Sequence, residues 1–294
     1  MNYRHAFHAG NFADVIKHIV LTRILIHLQD KPAAFRLIDT HAGAGRYDLT
    51  GAEAQRGGEW QAGIGRLLQA SFEAPVMALI KPYLDIVRAH NPADGLVAYP
   101  GSPLVARALL RPQDRMVVCE LEPGAHRQLV AALRRDRQAR VVAIDGWTAL
   151  PAYVPPQERR GVVLIDPPFE RPDEFDRLAA GVEAAMAKWS TGSYLLWYPI
   201  KDRRAVARFG ERVTAAVAKA LGQPSRAVLA ERVLTIEFET GGGGPAKAGL
   251  HAAGLAVVNP PWTLARDMTI VAPALVDVLG QGGRGRFWIG NHNS

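Results

Sequence analysis

The strongest constraint on how this chain can fold is a succession of short apolar runs, each ending in a small or acidic residue and each followed by a helical pattern. They cover residues 35–39, 116–120, 141–145, 162–166 and 193–197. Runs this short, apolar on both faces, read as parallel strands covered by helices on either side. Residues 232–238 and 255–259 follow, with the glycine run 241–244 in the connection between them, and read as an antiparallel hairpin closing the sheet. The expectation is an α/β protein with a seven-stranded, Rossmann-like sheet. A chain of 294 residues, 48% of them hydrophobic, is long enough to bury its core.

Two additions interrupt this plan. In an unbroken dinucleotide-binding unit, an acidic residue ends the next strand about 20 residues after the glycine loop. Here the glycines stand at 43 and 45, and the next core strand does not end until Glu120. Helical patterns at 59–70 and 75–90 make 51–96 an inserted helical subdomain, which leaves 1–50 and 97–294 as the core domain. Tyr99-Pro100-Gly101-Ser102-Pro103 restarts the core, with Ser102 as helix N-cap and Pro103 at the first helical position. The second addition is an N-terminal helical motif over 1–30, where Asn11 caps a helix reaching about Leu28.

The loop Asp39-Thr40-His41-Ala42-Gly43-Ala44-Gly45 should lead from strand to helix, and its glycines would let the backbone approach a ligand. Gly-x-Gly alone equally suits a tight turn, and the third glycine of the dinucleotide fingerprint is replaced by Asp48. Glu120, ending the next strand, suits a pair of ribose hydroxyls, and Asp145-Gly146, ending the one after, suits an adenine amino group. Each acid singly also reads as a cap. In succession they point to a nucleoside-bearing cofactor.

The fourth strand empties into Asp166-Pro167-Pro168-Phe169. An adenine N6 is a poor nucleophile because its lone pair is delocalised into the ring. Accepting its N–H bonds on a carboxylate and a backbone carbonyl returns electron density to nitrogen and aims the lone pair at an electrophile. Asp166 then accepts the amino hydrogen, Pro167 contributes its carbonyl in a turn stiffened by two prolines, and Phe169 stacks on the base. This is the logic of a class I S-adenosylmethionine-dependent methyltransferase acting on a planar amine. A rival copy, Asn259-Pro260-Pro261-Trp262, satisfies the same pattern. Chain order favours Asp166, because too little chain follows Trp262 to supply a downstream glycine loop. The rival reads as a structural turn or a substrate wall.

The excess of 35 Lys and Arg over 28 Asp and Glu, a formal charge of +7, favours a polyanionic partner. The single Cys119 allows neither an intrachain disulfide nor a cysteine-cluster metal site, and its apolar neighbours suggest a buried strand thiol. Lys17, His18 and Arg23 break the longest apolar stretch, so no segment reaches the roughly 18 apolar residues of a membrane span. With His5, His8 and Asp14 where a secretory signal would be apolar, a cytoplasmic protein is expected.

The N-terminal segment, Tyr3-Arg4-His5-Ala6-Phe7-His8-Ala9-Gly10-Asn11-Phe12-Ala13-Asp14-Val15-Ile16-Lys17-His18, completes the reading. Asp14 and His18 share a helical face but complete no metal-ligand pattern. Taken with Asp39–Tyr47, Tyr99–Pro103, Ile165–Phe169, Trp197-Tyr198-Pro199 and the Asn259 turn, this segment resembles the bacterial 23S rRNA (adenine(2030)-N6)-methyltransferase family over nearly the whole chain. The resemblance implies a monomer that needs no metal and no obligate protein partner. It implies that His18, His41, Ser102, Glu120, Asp145, Gly146 and Asp166 contact S-adenosylmethionine, with S-adenosylhomocysteine as product. Asp166 would be the catalytic acceptor, and Tyr3 and Lys17 would meet the 23S rRNA. Phe169 stands where many relatives have Tyr, which keeps stacking and loses a hydroxyl.

Three other readings compete. DNA-adenine and glutamine-amide methyltransferases use the same acid-Pro-Pro-aromatic logic. A nicotinamide-dependent oxidoreductase needs the missing glycine, and a noncatalytic RNA binder explains the charge but not the strand-end acids.

Overall fold

Successive side chains of a strand point to opposite faces, and that alternation sets the layers of this protein. The computed structural model describes residues 4–242 and 249–290. Its strands are β1 (Arg36–Asp39), β2 (Arg46–Asp48), β3 (Ala98–Pro100), β4 (Arg115–Cys119), β5 (Ala139–Val142), β6 (Gly161–Ile165), β7 (Ser193–Pro199), β8 (Val233–Glu239), β9 (Ala252–Val258) and β10 (Arg286–Gly290). Its helices are α1 (Phe12–Gln29), α2 (Ala52–Gly57), α3 (Arg66–Gln69), α4 (Ala74–Ala89), α5 (Ser102–Ala108), α6 (Pro123–Ala132), α7 (Gly146–Tyr153), α8 (Glu174–Lys188), α9 (Arg203–Ala220), α10 (Arg226–Ala230) and α11 (Leu264–Leu279).

The main sheet runs β10-β8-β9-β7-β6-β1-β4-β5, parallel from β7 to β5 and antiparallel among β7, β9, β8 and β10. Leu37, Val162, Leu164 and Leu195 face one helical layer that includes α1, α4, α5 and α11. Ile38, Val163, Ile165, Tyr194 and Leu196 face the other, with Leu178 and Val182 of α8 and Phe209 and Val213 of α9. The α/β class, the parallel centre and the hairpin of β8 and β9 are as expected.

The strand count is not. The described sheet has eight strands rather than seven, because β10 pairs with β8 from Arg286↔Glu239 to Gly290↔Thr235. Its inward residues Phe287 and Ile289 pack against the core while Arg286 and Trp288 face solvent. Short and half-exposed, the edge strand carries too weak an apolar signal to read in advance.

The glycine loop also leads elsewhere than into a helix. It enters β2, which pairs antiparallel with β3 from Arg46↔Pro100 to Asp48↔Ala98 and so ties together the departure and return of the chain around the intervening helices. Helices α5 and α6 meet the loop in space, the Gly101 N–H before α5 donating to the Gly45 carbonyl at 2.7 Å and Leu129 of α6 packing against Gly45. The intervening helices build no core of their own, since Ile64, Leu67, Ile80, Tyr83, Leu84 and Val87 belong to the same buried cluster as α1 and β1.

Helix α1 begins where expected, with the Asn11 side chain accepting from the Asp14 N–H at 3.0 Å. It is buried on nearly every side, including Asp14, Lys17, His18 and Thr22. A helix buried all round must find partners for its charged groups, and Lys17 finds one at the carboxyl edge of the sheet, in Asp166. No helix among the described residues is long and apolar enough to cross a membrane.

Candidate active site

From β1 the chain proceeds outward through β4 to β5, then returns to β6 and β7 on the other side of β1. The order reverses between β1 and β6, and in open α/β sheets ligands bind beyond the carboxyl ends of the strands at such a reversal. Asp39 ends β1 and Asp166 follows β6, so the two carboxylates flank that crevice.

Asp39 is fully buried. One oxygen accepts from the Ser102 hydroxyl at 2.7 Å, the other from the His41 N–H at 3.2 Å. Burial pushes its carboxyl up to about 7 despite the Ser102 hydrogen bond, and the nearby Asp166 charge adds to the rise. The Ser102 hydroxyl is therefore not an N-cap. Gly101 occupies the cap position of α5, and Ser102 is its first helical residue, turned toward Asp39.

His41 stands beside Gly146, where a β-carbon would lie 2.6 Å from the imidazole ring and 2.4 Å from the Thr40 carbonyl. Only glycine permits this approach. Burial lowers His41 to about 4, so the ring is neutral at pH 7; its Nδ1 pairs with the Thr40 hydroxyl at 2.8 Å and its ring packs edge-to-face with Trp147 at 5.2 Å between centroids. The glycine loop closes on the neighbouring strand, the Gly43 N–H donating to Glu120 at 2.8 Å. Glu120 also accepts from the Glu122 N–H, and burial raises its pKa. Asp145 caps α7 by accepting from the Thr148 N–H at 3.0 Å.

The N-terminal helix reaches the same place from above the sheet. Lys17 Nζ donates to Asp14 at 2.6 Å and to Asp166 at 2.5 Å, bridging 149 residues of sequence. Burial opposes its charge, but the two carboxylates outweigh that cost and raise the ammonium above the ordinary lysine range. Asp14 in turn accepts from the Gly10 N–H, lies 2.9 Å from His5 Nε2 and is held well below the carboxylate range, His5 and Lys17 overcoming its burial. Lys17 is 4% exposed. Its ammonium is enclosed between two acids, one of them Asp166. Tyr3 lies outside the described residues.

The residue after Lys17, His18, is buried with Nδ1 2.7 Å from the Tyr99 hydroxyl, which meets the Tyr83 hydroxyl at 2.9 Å. Burial, helped by the Lys17 charge, lowers His18 to about 3, and its Nε2 is buried without a protein partner.

Beyond Asp166, Pro167 is buried and Phe169 turns back with φ +49°. Its ring packs edge-on against Phe175 at 4.9 Å and Trp197 at 5.7 Å between centroids. The rival Asn259 also has φ +49°, but its amide donates to the Ser190 and Gly192 carbonyls at 2.9 and 2.7 Å. Because β9 runs antiparallel to β7 with Tyr194↔Val258, Asn259 emerges at the opposite edge of the sheet from Asp166. Past β7, Arg203 is engaged by Glu237 and Glu239, while Lys201 and Arg204 are exposed.

In the sequence Asp39 is only a strand-end acid, and its hydrogen bonds to Ser102 and His41 leave no local signal there. Nor does the sequence mark Asp14 and His5 as supports of Lys17. The i, i+3 spacing of Asp14 and Lys17 was visible, but only the fold shows that their third partner is Asp166.

A family model described as "Ribosomal RNA large subunit methyltransferase D, RlmJ" matches residues 32–290. Ribosomal RNA large subunit methyltransferase J of Escherichia coli K12 is 38% identical over 97% of this chain and 96% of its own. The protein of the same name from Haemophilus influenzae Rd is 36% identical over 98% of both. The crystal structure of a Legionella pneumophila protein superposes with a TM-score of 0.84 at 30% identity, over 97% of this chain and 98% of that one.

Proposed function

Because the chain belongs to the RlmJ family of ribosomal RNA large subunit methyltransferases, we propose that it methylates N6 of one adenine in 23S rRNA, the family's adenine 2030, using S-adenosyl-L-methionine. The observation that carries this reading is Asp166. It is a carboxylate fastened by Lys17 at the strand-order reversal and followed by a stiff turn that sets Phe169 against Trp197.

The residues around the crevice fit the cofactor. His18 Nε2 is a buried polar atom without a protein partner, and Gly146 leaves room that any side chain would take from His41. Glu120 is a half-buried carboxylate at the end of the adjoining strand, the place suited to ribose hydroxyls. His18, His41, Ser102, Glu120, Asp145, Gly146 and Asp166 would hold it, and once bound it supplies a methyl group activated on a sulfonium.

Asp166 and the Pro167 carbonyl accept the adenine amino hydrogens, which localises the nitrogen lone pair. Lys17 balances the carboxylate charge, so Asp166 acts first as a hydrogen-bond acceptor. It takes the proton once the nitrogen has gained its fourth bond and become acidic. Phe169, braced by Phe175 and Trp197, offers its face to an extruded base. The neutral His41 and His18 add no positive charge that would oppose a sulfonium. We place the enzyme in the cytoplasm, where ribosomal RNA is found.

The test is nucleoside mass spectrometry after incubation with labelled S-adenosylmethionine and unmodified 23S rRNA, beside DNA and a glutamine-containing protein. Labelled N6-methyladenosine should appear from the rRNA alone. Its absence there, or label on DNA or glutamine instead, overturns the proposal.

A further inference from the structure

The Asn259-Pro260-Pro261-Trp262 turn has no part in the proposed chemistry, and its geometry gives it another. Asn259 is locked: besides its two amide bonds, its N–H donates to the Arg232 carbonyl at 2.8 Å and its carbonyl accepts from the Ser193 hydroxyl at 2.9 Å. Pro261 is buried, and its carbonyl accepts from the Leu264 N–H at 2.9 Å, where buried Leu264 opens α11. Between these clamps the Trp262 side chain is 82% exposed, and no other large hydrophobic residue described exceeds 56%.

A rigid backbone that holds an indole out into water places a large apolar surface where it gains nothing from folding. The backbone beneath it is preorganised for a partner, so only the side-chain torsions remain to be fixed on binding. The surroundings indicate the partner's chemistry. Arg232 is exposed, with one guanidinium nitrogen 3.4 Å from Asn259 Oδ1, and Arg266 is exposed one helical turn beyond Trp262 with no ion-pair partner among the described residues. The acids next to them in sequence are exposed Glu231 and Asp267, the latter buried and paired with Arg23. An exposed aromatic ring on a turn that carries one guanidinium group against its first residue and another on the helix that follows is a combination that can take a nucleobase by stacking and its phosphates by charge.

We propose that Trp262, with Arg232 and Arg266, forms a second RNA-docking site that stacks an unpaired base of the substrate at the sheet edge opposite Asp166. This rests on the reading that the substrate is a large RNA. The strands between the two edges span about 20 Å, so a single short stem at the active site need not reach Trp262, whereas a folded rRNA domain can touch both edges.

Two RNAs test this: full-length unmodified 23S rRNA, and a short transcript carrying only the target adenine and its immediate stem. Trp262→Ala should weaken binding of the full-length RNA on the order of tenfold and leave the short transcript unaffected, while Trp262→Phe keeps most of the affinity. Arg266→Gln should reduce the salt slope of full-length binding by about one unit or slightly less. Equal binding of full-length RNA by wild type and Trp262→Ala overturns the site. So does a wild-type dimer in sedimentation that Trp262→Ala dissociates, because a second copy of the chain would then cover the indole. If wild type methylates neither RNA, the proposed reaction fails, and the full-length binding comparison still decides the docking site.

Discussion

Buried His18 and half-buried His41 are neutral while Asp39 is buried at the edge of ionisation, and the two kinds of group respond oppositely to pH. The histidines are lowered from 6.5 to about 3 and about 4. As pH falls from 6.5 toward 4, the unfolded chain therefore takes up protons that the folded chain refuses, and stability is lost. Asp39 is raised from 3.8 to about 7, so the folded chain keeps a proton the unfolded chain releases, and that contribution is lost as pH rises through 7. Between 4 and 6.5 the two histidines outweigh the one carboxylate, and the melting temperature should fall on acidification. His41→Asn should flatten the slope, and Asp39→Asn should steepen it by removing the opposing group. A melting temperature that rises as pH drops from 6.5 to 4.5 would contradict the burial of these rings as neutral groups.

At the scale of elements, the two acid-or-amide turns make a matched pair. Asp166→Ala should reduce turnover below detection while S-adenosylhomocysteine still binds, by calorimetry, through the residues on β1, β4 and α7. Asn259→Ala should do the reverse. Two hydrogen bonds to buried-edge carbonyls are lost and an alanine is forced to positive φ, costing about 1–3 kcal/mol of stability, with turnover per folded molecule preserved. Full activity in Asp166→Ala with loss in Asn259→Ala would exchange their roles. The sequence could rank the two turns because strand order is written in the apolar runs, whose alternate residues cannot be buried any other way. It could not show which surface each turn occupies, since that depends on β9 reversing direction against β7. The same limit hid β2, β3 and β10: three to five residues of mixed polarity carry little periodic signal, and only pairing across 50 to 54 residues makes Arg46–Asp48 and Ala98–Pro100 a sheet. Ser102 was misread for a related reason. A serine before a proline suits an N-cap by local rules, but a buried carboxylate 63 residues away competed for its hydroxyl and won.

Across the whole molecule, the sheet separates two cores that differ in what they hold up. The α8 and α9 side buries Leu178 and its neighbours and sends Phe175 to brace Phe169, but contributes none of the polar groups around Asp39. The α1 side buries Leu21 one turn from Lys17 and His18, so the same packing that stabilises the fold also aims the ammonium at Asp166 and the imidazole at Tyr99. Leu21 and Leu178 are both wholly buried, and replacing either with alanine should cost about 2–5 kcal/mol. The consequences at the site should differ. A cavity under α1 lets the helix settle or rotate, and a shift well under one ångström is enough to lengthen charge-assisted hydrogen bonds as short as those of Lys17. Leu21→Ala should therefore weaken S-adenosylhomocysteine binding about tenfold, a difference of about 1.4 kcal/mol, measured well below its lowered melting temperature. Leu178→Ala, with a comparable loss of melting temperature, should bind the product as wild type does. Equal affinities in the two variants would mean that α1 is merely buried beside the site, and that Lys17 and His18 hold their positions through their own hydrogen bonds without help from the packing beneath them.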